Sequence, residues 1–366
     1  MATMRRHPPD LLILIATLFL VGIGIVAVGS AGTPQALQLT DGRNPFLFGA
    51  RQLVFAVMGI IVMFYMSRRD FHKMRKFTLG FALVTIILLI VVLAFKDVKG
   101  AHRWIKFGFI SLQPSELAKI SVILFIAHYL SEIGNGVKKL WQGVIIPLVY
   151  TSIVGGLIML EPDFGTTLSV FMIFFAMLFA AGMRMIHFSL MGALAVVAAI
   201  VAIKMEPYRL RRLGNPMNDP KGAGWQIVNS IMALGSGGLF GLGFGRSRQK
   251  FFYLPEAHTD YIFAIIGEET GLLGTLTVLA LFLLLAWRGY RAAMTASDDY
   301  GCLLAIGITS YIVFQALLNM AVVTAMLPTT GITLPLVSNG GTSLCITLFS
   351  LGILLNISKG GEVTRQ

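Results

Sequence analysis

The sequence is poor in charge and in cysteine, and each shortage excludes a class of protein. Only 13% of its 366 residues are charged, 56% are hydrophobic, and the mean hydropathy is +0.80. Soluble domains average about 25% charged residues, so the composition indicates an integral membrane protein. The two cysteines, Cys302 and Cys345, fall inside apolar runs without a metal-ligand spacing, so we interpret them as small core residues rather than metal ligands.

Apolar runs of about 20 residues are long enough to cross a bilayer as helices. The chain has ten such runs, at residues 11–29, 47–66, 78–95, 113–130, 143–160, 165–182, 185–203, 261–287, 301–326 and 340–357. The first is longer than the core of an ordinary signal peptide, so we interpret it as an uncleaved anchor. We therefore predict an all-α polytopic membrane protein, with residues 1–366 forming a single domain.

Ten spans place both termini on the same side of the membrane. If that side is the cytoplasm, the short inner segments carry fourteen Lys and Arg residues and the short outer loops carry six. This excess agrees with the positive-inside rule. The sequence thus predicts cytoplasmic termini and an extracellular loop over residues 204–260.

The outer loop 204–260 holds eight Lys and Arg residues. Long loops can lie outside whatever their charge, so the positive-inside rule allows these cations but gives no reason for them. Guanidinium groups match phosphate oxygens, so the cluster favours an anion on the outer face, such as a pyrophosphate-linked lipid, over nucleic acid. Alternatively, these side chains reach anionic headgroups. The glycine-rich residues 235–245 could cradle phosphate with backbone amides. We predict a re-entrant or interfacial segment over residues 224–245.

Asp260 is the acid that best fits a catalytic role. It ends the outer loop at the membrane boundary, beside His258 and Thr259. A low-dielectric wall raises the proton affinity of a partly hydrated carboxylate, which suits a general base. The alternative is an N-cap for the following helix. His258 could orient or shuttle a proton, or lie at the surface without a catalytic role.

Further charges lie in or against the spans. Glu116 and Lys119 share a helix face, where a pair would either lock helices together or line a cavity. Glu268 and Glu269 lie inside the eighth span and need a partner or a watery cavity, so we expect them to pair with neighbouring cations. The Glu161–Asp163 turn could bind a metal or a cation, or serve as a turn alone.

Several motifs stand in a characteristic order along the chain. They are Gly100–Ile105, Gln113–Glu116 with Lys119, Pro162–Thr166, Gly235–Gly245, Leu254–Asp260, Glu268–Gly271, and Gly331–Pro335 with Ser338–Gly341. Together they resemble the shape, elongation, division and sporulation (SEDS) family of bacterial peptidoglycan polymerases, over nearly the whole chain. Residues 246–255 are most similar to the division and sporulation branch (FtsW and SpoVE), with RodA the next candidate.

Three residues depart from the pattern of this family. Glu161, Thr270 and Asn339 stand where Gln, Leu and Tyr are usual. None of them removes the proposed base, so the departures do not put activity in doubt. Asn339 could alter how the loop after the ninth span packs near the cavity.

The resemblance implies a SEDS-type fold of ten transmembrane helices in the bacterial cytoplasmic membrane. It also implies lipid II as substrate, Asp260 as the match to the essential aspartate of the family, and Glu116 with Lys119 as the match to its buried ion pair. Because lipid II is α-linked and the glycan is β-1,4-linked, the reaction inverts the anomeric carbon. Asp260 would take the proton of the attacking hydroxyl, and loop arginines would stabilise the leaving pyrophosphate.

We accordingly predict Asp260 as the catalytic residue. The predicted substrate-binding residues are Arg103, Arg209, Arg212, Arg246, Arg248, Lys250, Glu116, Lys119, His258 and Ser338. No metal ligand set is evident, although a divalent cation, Mg²⁺ or Mn²⁺, could assist the leaving group. We also expect an apolar groove between spans for the polyprenyl tail.

The resemblance further implies protein partners. These are a class B penicillin-binding protein transpeptidase and proteins of the division or elongation complex, besides membrane lipids. Two other functions remain open from the sequence. One is a lipid II flippase that uses the intramembrane charges, and the other is a membrane scaffold that activates the transpeptidase.

Overall fold

The computed structural model describes residues 8–95, 103–107, 110–204 and 224–360. Twelve α-helices lie within these residues: α1 (Leu11–Ala31), α2 (Thr33–Leu39), α3 (Leu47–Arg68), α4 (Thr78–Val92), α5 (Pro114–Ile133), α6 (Ile146–Leu160), α7 (Phe164–Ala180), α8 (Met185–Lys204), α9 (Trp225–Gly237), α10 (Ile262–Met294), α11 (Asp299–Val323) and α12 (Gly341–Ile357). Shorter helical turns occupy Phe71–Phe77, Gly134–Lys138 and Leu140–Ile145. Strands β1 (Ile105–Phe107) and β2 (Ile110–Leu112) pair antiparallel before α5.

Ten of these helices coincide with the ten predicted apolar runs. In the described part of the chain, seven helical segments are long and apolar enough to cross a membrane. The shorter apolar helices are Phe164–Ala180, Met185–Val197 and Gly341–Ile357. The all-α polytopic class is therefore confirmed, and the count of ten spans stays a prediction.

Local chemistry sets the start of several helices. Asp10 caps α1, since its carboxylate accepts from the Leu12 backbone N–H at 2.9 Å. Asp163 caps α7 in the same way, accepting from Thr166 N at 3.0 Å. Pro114 lies in the first turn of α5, where a missing N–H leaves no hydrogen bond unmade. The helix predicted from residue 113 thus begins at Pro114, and the predicted Glu161–Asp163 turn ends where α7 begins, at Phe164.

The core centres on α11, most of whose residues are buried. It packs against α5, α7, α10 and α12, while α12 also lies along α3. The α3–α12 contact depends on glycine, because a Cβ added to Gly352 would lie 2.5 Å from the Met63 carbonyl oxygen. These two helices therefore approach more closely than side chains at that crossing would allow.

The first and last described helices meet at one end of the bundle. The Asp10 N–H donates to Ser358 Oγ at 3.1 Å. Arg288, near the end of α10, bonds the Asp10 carboxylate at 2.5 Å, and Lys359 Nζ donates to the Ser67 carbonyl at 2.6 Å. Both ends of the described chain thus lie at the same end of the bundle.

The segment 224–245, which we predicted to be re-entrant or interfacial, begins with the short helix α9. This helix packs against α10 and leaves Ile231 and Met232 exposed. Turns follow it as far as the start of α10. The outer loop predicted over 204–260 therefore contains a helix in its described part, while residues 205–223 lie outside the described residues.

Candidate active site

Asp260 lies two residues before α10, at the end of the bundle opposite to the chain termini, and is half-buried. Tyr261 occupies the N-cap position of α10. Asp260 is therefore not the N-cap of this helix, contrary to the alternative interpretation of this residue. The neighbouring Thr259 hydroxyl donates to the Glu256 carboxylate at 3.0 Å. Asp260 therefore ends a compact turn with its carboxylate at the boundary of the helical bundle.

Residues beyond α11 hold this turn through its main chain. The Ser338 hydroxyl donates to the Thr259 carbonyl at 2.6 Å and accepts from the Leu334 N–H at 2.8 Å. The Asn339 N–H donates to the His258 carbonyl at 3.0 Å. The 329–340 segment and the Asp260 turn therefore form a single unit.

Gly331 lies beside the Asp260 carboxylate, and His258 packs against α3. Gly331 has φ +73°, and a Cβ built on it would lie 3.7 Å from Asp260 Oδ2. The ring of His258 is buried and lies 4.7 Å from the ring of Phe48 on α3, measured between centroids. The structure thus places His258 in packing rather than on the surface.

The carboxylate of Glu268 holds the cationic loop 246–250 through one hydroxyl and two backbone N–H groups of that loop. Its carboxylate accepts from Ser247 Oγ at 2.5 Å, from Arg248 N at 2.9 Å and from Gln249 N at 3.3 Å. Hydrogen bonds to a carboxylate are stronger than those between neutral groups. This buried acid therefore fixes the path of the loop and leaves the Arg246 and Arg248 side chains exposed.

Glu269 binds the loop through a cation instead. The Lys250 ammonium donates to Glu269 Oε1 at 3.1 Å, to Ser30 Oγ at 2.9 Å and to the Gly245 carbonyl at 2.7 Å. Ser30 also donates to Glu269 Oε1 at 2.6 Å. The predicted pairing of these acids with loop cations is confirmed for Glu269, and the pair links the loop to α1.

A break in α10 makes room for these contacts. Gly271 has φ +67° and ψ −162°, a conformation that interrupts the helix. The amides of Leu242 and Gly243 donate to the carbonyls of Glu268 and Glu269, at 2.9 and 3.0 Å. The segment after α9 therefore satisfies backbone groups that the helix break would otherwise leave unpaired.

The predicted Glu116–Lys119 pair is present in the interior. Lys119 Nζ lies 2.7 Å from Glu116 Oε1, and the side chains are 2% and 5% exposed. Lys119 also donates to Gln315 Oε1 at 2.7 Å. The pair thus joins α5 to α11, as its interpretation as a helix lock expected.

Arg103 lies against the turn between α6 and α7. Its Nε donates to the Glu161 carbonyl at 3.1 Å, and its Nη2 donates to the Pro162 carbonyl. Burial and the charge of Asp163 together raise the pKa of Glu161 to about 8, against the opposing effect of the Arg103 charge. Arg103 therefore uses its donors to hold the turn.

The remaining predicted ligands differ in accessibility. Arg246 and Arg248 are exposed, whereas Lys250 is buried against Glu269. Arg209 and Arg212 lie outside the described residues. Among the residues that the structure does describe, no cluster of three or more His, Cys, Asp and Glu side chains could hold a metal ion.

A groove of about 270 Å³ opens between α1 and α10. It is lined by Gly22, Ile23, Val26, Ala27, Phe244, Ile265, Ile266, Glu269, Thr270, Gly274, Thr277 and Val278. Apart from the paired Glu269, these residues are mostly apolar. The groove therefore matches in character the one expected for a hydrocarbon chain.

Two buried amides on α11, at Gln315 and Asn319, were not among the residues predicted for the site. Asn319 donates to the Asp260 carbonyl at 2.7 Å, and Gln315 donates to the Thr333 carbonyl at 3.0 Å. Their spacing of four residues in an apolar helix was a usable signal, because polar side chains inside a membrane helix face partners rather than lipid.

Comparison with known proteins gives matches over almost the entire chain. The profile of the FtsW, RodA and SpoVE family, described as cell cycle proteins, matches residues 10–362. The chain is 40% identical to stage V sporulation protein E of Bacillus subtilis, over 98% of this chain and 99% of that protein. It is 41% identical to the probable peptidoglycan glycosyltransferase FtsW of Trichlorobacter lovleyi, over 96% and 93% of the two chains.

Solved structures agree with these sequence matches. A chain from a peptidoglycan synthase complex, in a study of coordinated polymerization and crosslinking, superposes with a TM-score of 0.79 and 27% identity over 96% of this chain and 97% of that one. The rod shape determining protein RodA of Thermus thermophilus superposes with a TM-score of 0.71 and 26% identity, over 97% and 98%. The fold described above is therefore shared along its full length.

Proposed function

The chain belongs to the FtsW, RodA and SpoVE family of cell cycle proteins, and we propose that it is a peptidoglycan glycosyltransferase that polymerises lipid II into β-1,4-linked glycan strands. Relatives that align over nearly the whole chain are named as probable glycosyltransferases of this kind. Another is named as a sporulation protein. These names favour synthesis of the division or sporulation septum.

The observation that carries the proposal is the position of Asp260. Its carboxylate lies half-buried at the end of the loop that exposes Arg246 and Arg248. A base in partly dry surroundings holds a proton more readily than one in water, which suits proton abstraction from a hydroxyl. The two arginines lie on the same loop as Asp260, where their guanidinium groups could bind an anionic leaving group.

The reaction is a single displacement at the donor sugar. The 4-hydroxyl oxygen of the acceptor GlcNAc forms a bond to the anomeric carbon, while the bond from that carbon to the lipid pyrophosphate breaks. The hydroxyl proton passes to the Asp260 carboxylate, and the pyrophosphate leaves with the bonding electrons. Arg246 and Arg248 stabilise the negative charge that develops on it, and the displacement inverts the anomeric carbon.

The protein crosses the membrane several times, and we place it in the bacterial cytoplasmic membrane with both termini in the cytoplasm. The charge count supports this orientation, and the contact between Asp10 and Ser358 supports both termini lying on one side. Asp260 then faces the outer side, where lipid II is consumed. The likeness to a chain of a peptidoglycan synthase complex supports a class B penicillin-binding protein as partner.

Glycan synthesis from purified lipid II tests the proposal. The protein is reconstituted in liposomes with its cognate penicillin-binding protein, and polymer length is followed on gels. We expect Asp260→Asn to lower the rate by at least about a hundredfold, the lower end of what a general base contributes. Asp41→Asn, which changes an exposed acid in another loop, is the matched control and should retain full activity.

Each other outcome has a distinct meaning. Polymer at the normal rate from Asp260→Asn would refute the role of this carboxylate. A wild-type protein that moves labelled lipid II across the liposome without making polymer would instead support the flippase alternative.

A further inference from the structure

Helix α11 presents two buried amide side chains toward the 329–340 segment that flanks Asp260. Gln315 and Asn319 are 2% and 1% exposed. Residues four apart lie on one face of a helix, so both amides face in the same direction. Neither was expected from the motifs that identify the site.

Asn319 joins the two sides of the proposed active site. Its Nδ2 donates to the Asp260 carbonyl and to the Ile332 carbonyl, each at 2.7 Å. An amide nitrogen carries two N–H groups, so both are used. The main chain of Asp260 is thereby fixed to the buried helix α11 and to the segment that passes beside its carboxylate.

Gln315 extends this connection toward the buried ion pair. Its Oε1 accepts from Lys119 Nζ at 2.7 Å, and its Nε2 donates to the Thr333 carbonyl at 3.0 Å. Lys119 is itself paired with Glu116 at 2.7 Å. A continuous path of short polar contacts therefore runs from α5 through α11 to residues 332–333 and on to Asp260.

We propose that Asn319 is a positioning residue that fixes Asp260 for catalysis, and that Gln315 couples the Lys119–Glu116 pair to the same segment. The inference rests on the proposed function. Catalytic groups must be held within a fraction of an ångström of their productive geometry, and a misplacement of about 1 Å can lower a rate about a hundredfold. Buried hydrogen bonds from a rigid helix supply that restraint.

The test compares two asparagines whose side-chain amides each donate to backbone carbonyls at 2.7 Å. Asn356 on α12 donates to the Ser67 carbonyl at 2.7 Å, at the end of the bundle that holds the chain termini. Asn319→Ala and Asn356→Ala each remove amide-to-carbonyl bonding, but only the first touches Asp260. We expect Asn319→Ala to lower kcat about 10- to 100-fold with little change in the KM for lipid II, and Asn356→Ala to leave kcat unchanged.

Folding is followed by thermal melting of each variant in the same liposomes. If Asn319→Ala does not fold, Asn319→Leu fills a similar volume without N–H groups and gives the same comparison. A kcat equal to that of wild type in a folded Asn319 variant would overturn the inference. Equal losses of kcat in the Asn319 and Asn356 variants would also overturn it, because they would indicate a general loss of stability.

The role of Gln315 is tested by combination. Gln315→Met removes the hydrogen bonds of this side chain to Lys119 and Thr333. If Gln315 acts through the same segment as Asn319, the loss of kcat in the double variant is smaller than the product of the single losses. A loss equal to that product would show that the two amides act independently, which would overturn the coupling.

A readout without catalysis separates this inference from the proposed function. Cys302 and Cys345 are replaced by alanine, Asp260→Cys is introduced, and its reaction rate with a small thiol reagent is measured. We expect Asn319→Ala to change this rate and Asn356→Ala to leave it unchanged, whether or not the wild-type protein makes polymer. If Asp260→Cys reacts at the same rate with and without Asn319→Ala, the positioning role is overturned. A wild-type protein without polymerase activity would contradict only the proposed function.

Discussion

The ammonium group of Lys250 lies 3.1 Å from the Glu269 carboxylate, and each side chain is only 4% exposed. The pair joins the loop that exposes Arg246 and Arg248 to the first half of α10, next to the break at Gly271. Either charge alone would be left desolvated, so the pair stabilises this arrangement only when both members are present.

Glu269→Gln should therefore destabilise the protein strongly. Lys250 would remain buried without its counter-charge, and we expect a loss of about 3–5 kcal/mol in the free energy of unfolding. Chemical denaturation in detergent micelles measures this loss. The double variant Lys250→Met with Glu269→Gln should lose less than the sum of the two single variants.

The exposed contact between His128 and Glu132 is the matched control. Glu132 is 57% exposed, so Glu132→Gln should change the free energy of unfolding by less than about 0.5 kcal/mol. Similar losses in Glu132→Gln and Glu269→Gln would contradict the importance of the buried pair.

Gly271→Ala should destabilise the break in α10. Its φ of +67° is unfavourable for a residue with a Cβ, and the added atom would lie 2.4 Å from the Gly241 nitrogen. Strain of this kind costs about 1–3 kcal/mol, and the close contact adds to it. Thermal melting should show a clear decrease in Tm.

Gly156→Ala provides the control for that substitution. Gly156 lies on the exposed face of α6, with nothing within 4 Å of an added Cβ. Alanine is favoured over glycine inside a helix by about 1 kcal/mol, so Tm should stay or rise. A Gly271→Ala variant that melts like Gly156→Ala would refute the structural need for glycine at the break.

Glu161 should make stability depend on pH. Its pKa is raised from an ordinary value of 4.5 to about 8 by burial, with a further contribution from Asp163. The folded protein therefore holds a proton that the unfolded chain releases, and this contribution to stability is complete below pH 4.5 and is lost as pH rises through 8. Tm should consequently fall from pH 5 to pH 9.

Glu161→Gln removes the titrating group at this position and keeps a side chain of similar size. The variant should show a smaller decrease in Tm over the same pH range. Parallel curves for the wild type and Glu161→Gln would show that this carboxyl does not bind a proton in the folded state.

Arg246→Ala combined with Arg248→Ala should impair catalysis without unfolding the protein. Both side chains are exposed, while the path of their loop is set by Glu268 through backbone amides. Loss of groups that stabilise a leaving anion lowers a rate about 100- to 1000-fold in other enzymes, and we expect a decrease of that order in kcat/KM.

Arg291→Ala, an exposed arginine near the end of α10, is the control and should retain polymerisation. Equal activity of the double arginine variant and Arg291→Ala would exclude the loop arginines from pyrophosphate stabilisation. The membrane reconstitution used for Asp260 serves for this comparison.

Much of the helical architecture could be predicted from the sequence because its signals are local. The run of apolar residues before Gly29 predicts α1 by length alone, and Pro114 marks the start of α5. The Glu116–Lys119 pair was also predictable, since both partners lie within one helical turn. The pairing expected for Glu269 needed only the rule that a buried acid in a membrane helix finds a partner.

Other parts of the site could not be predicted, because their partners are far apart in the chain. The contacts of Arg103 with the main chain of residues 161 and 162 are an example, while its predicted role in substrate binding stays a prediction. Lys250 was predicted to bind substrate together with Arg246 and Arg248, and in the structure its side chain is buried against Glu269. Nothing in the local sequence distinguishes a cation that folds inward from one that faces outward.

The class of the protein, the position of its apolar helices and the location of its acidic and cationic loop residues could all be predicted from the amino-acid sequence. These depend on composition and on spacing along one helix. Three features required the folded structure: the bond from Asn319 to the main chain of Asp260, the contacts by which Glu268 holds the 246–250 loop, and the break of α10 at Gly271. Each of these features depends on how separate segments pack, because a buried polar group takes whichever partner the packing brings within about 3 Å.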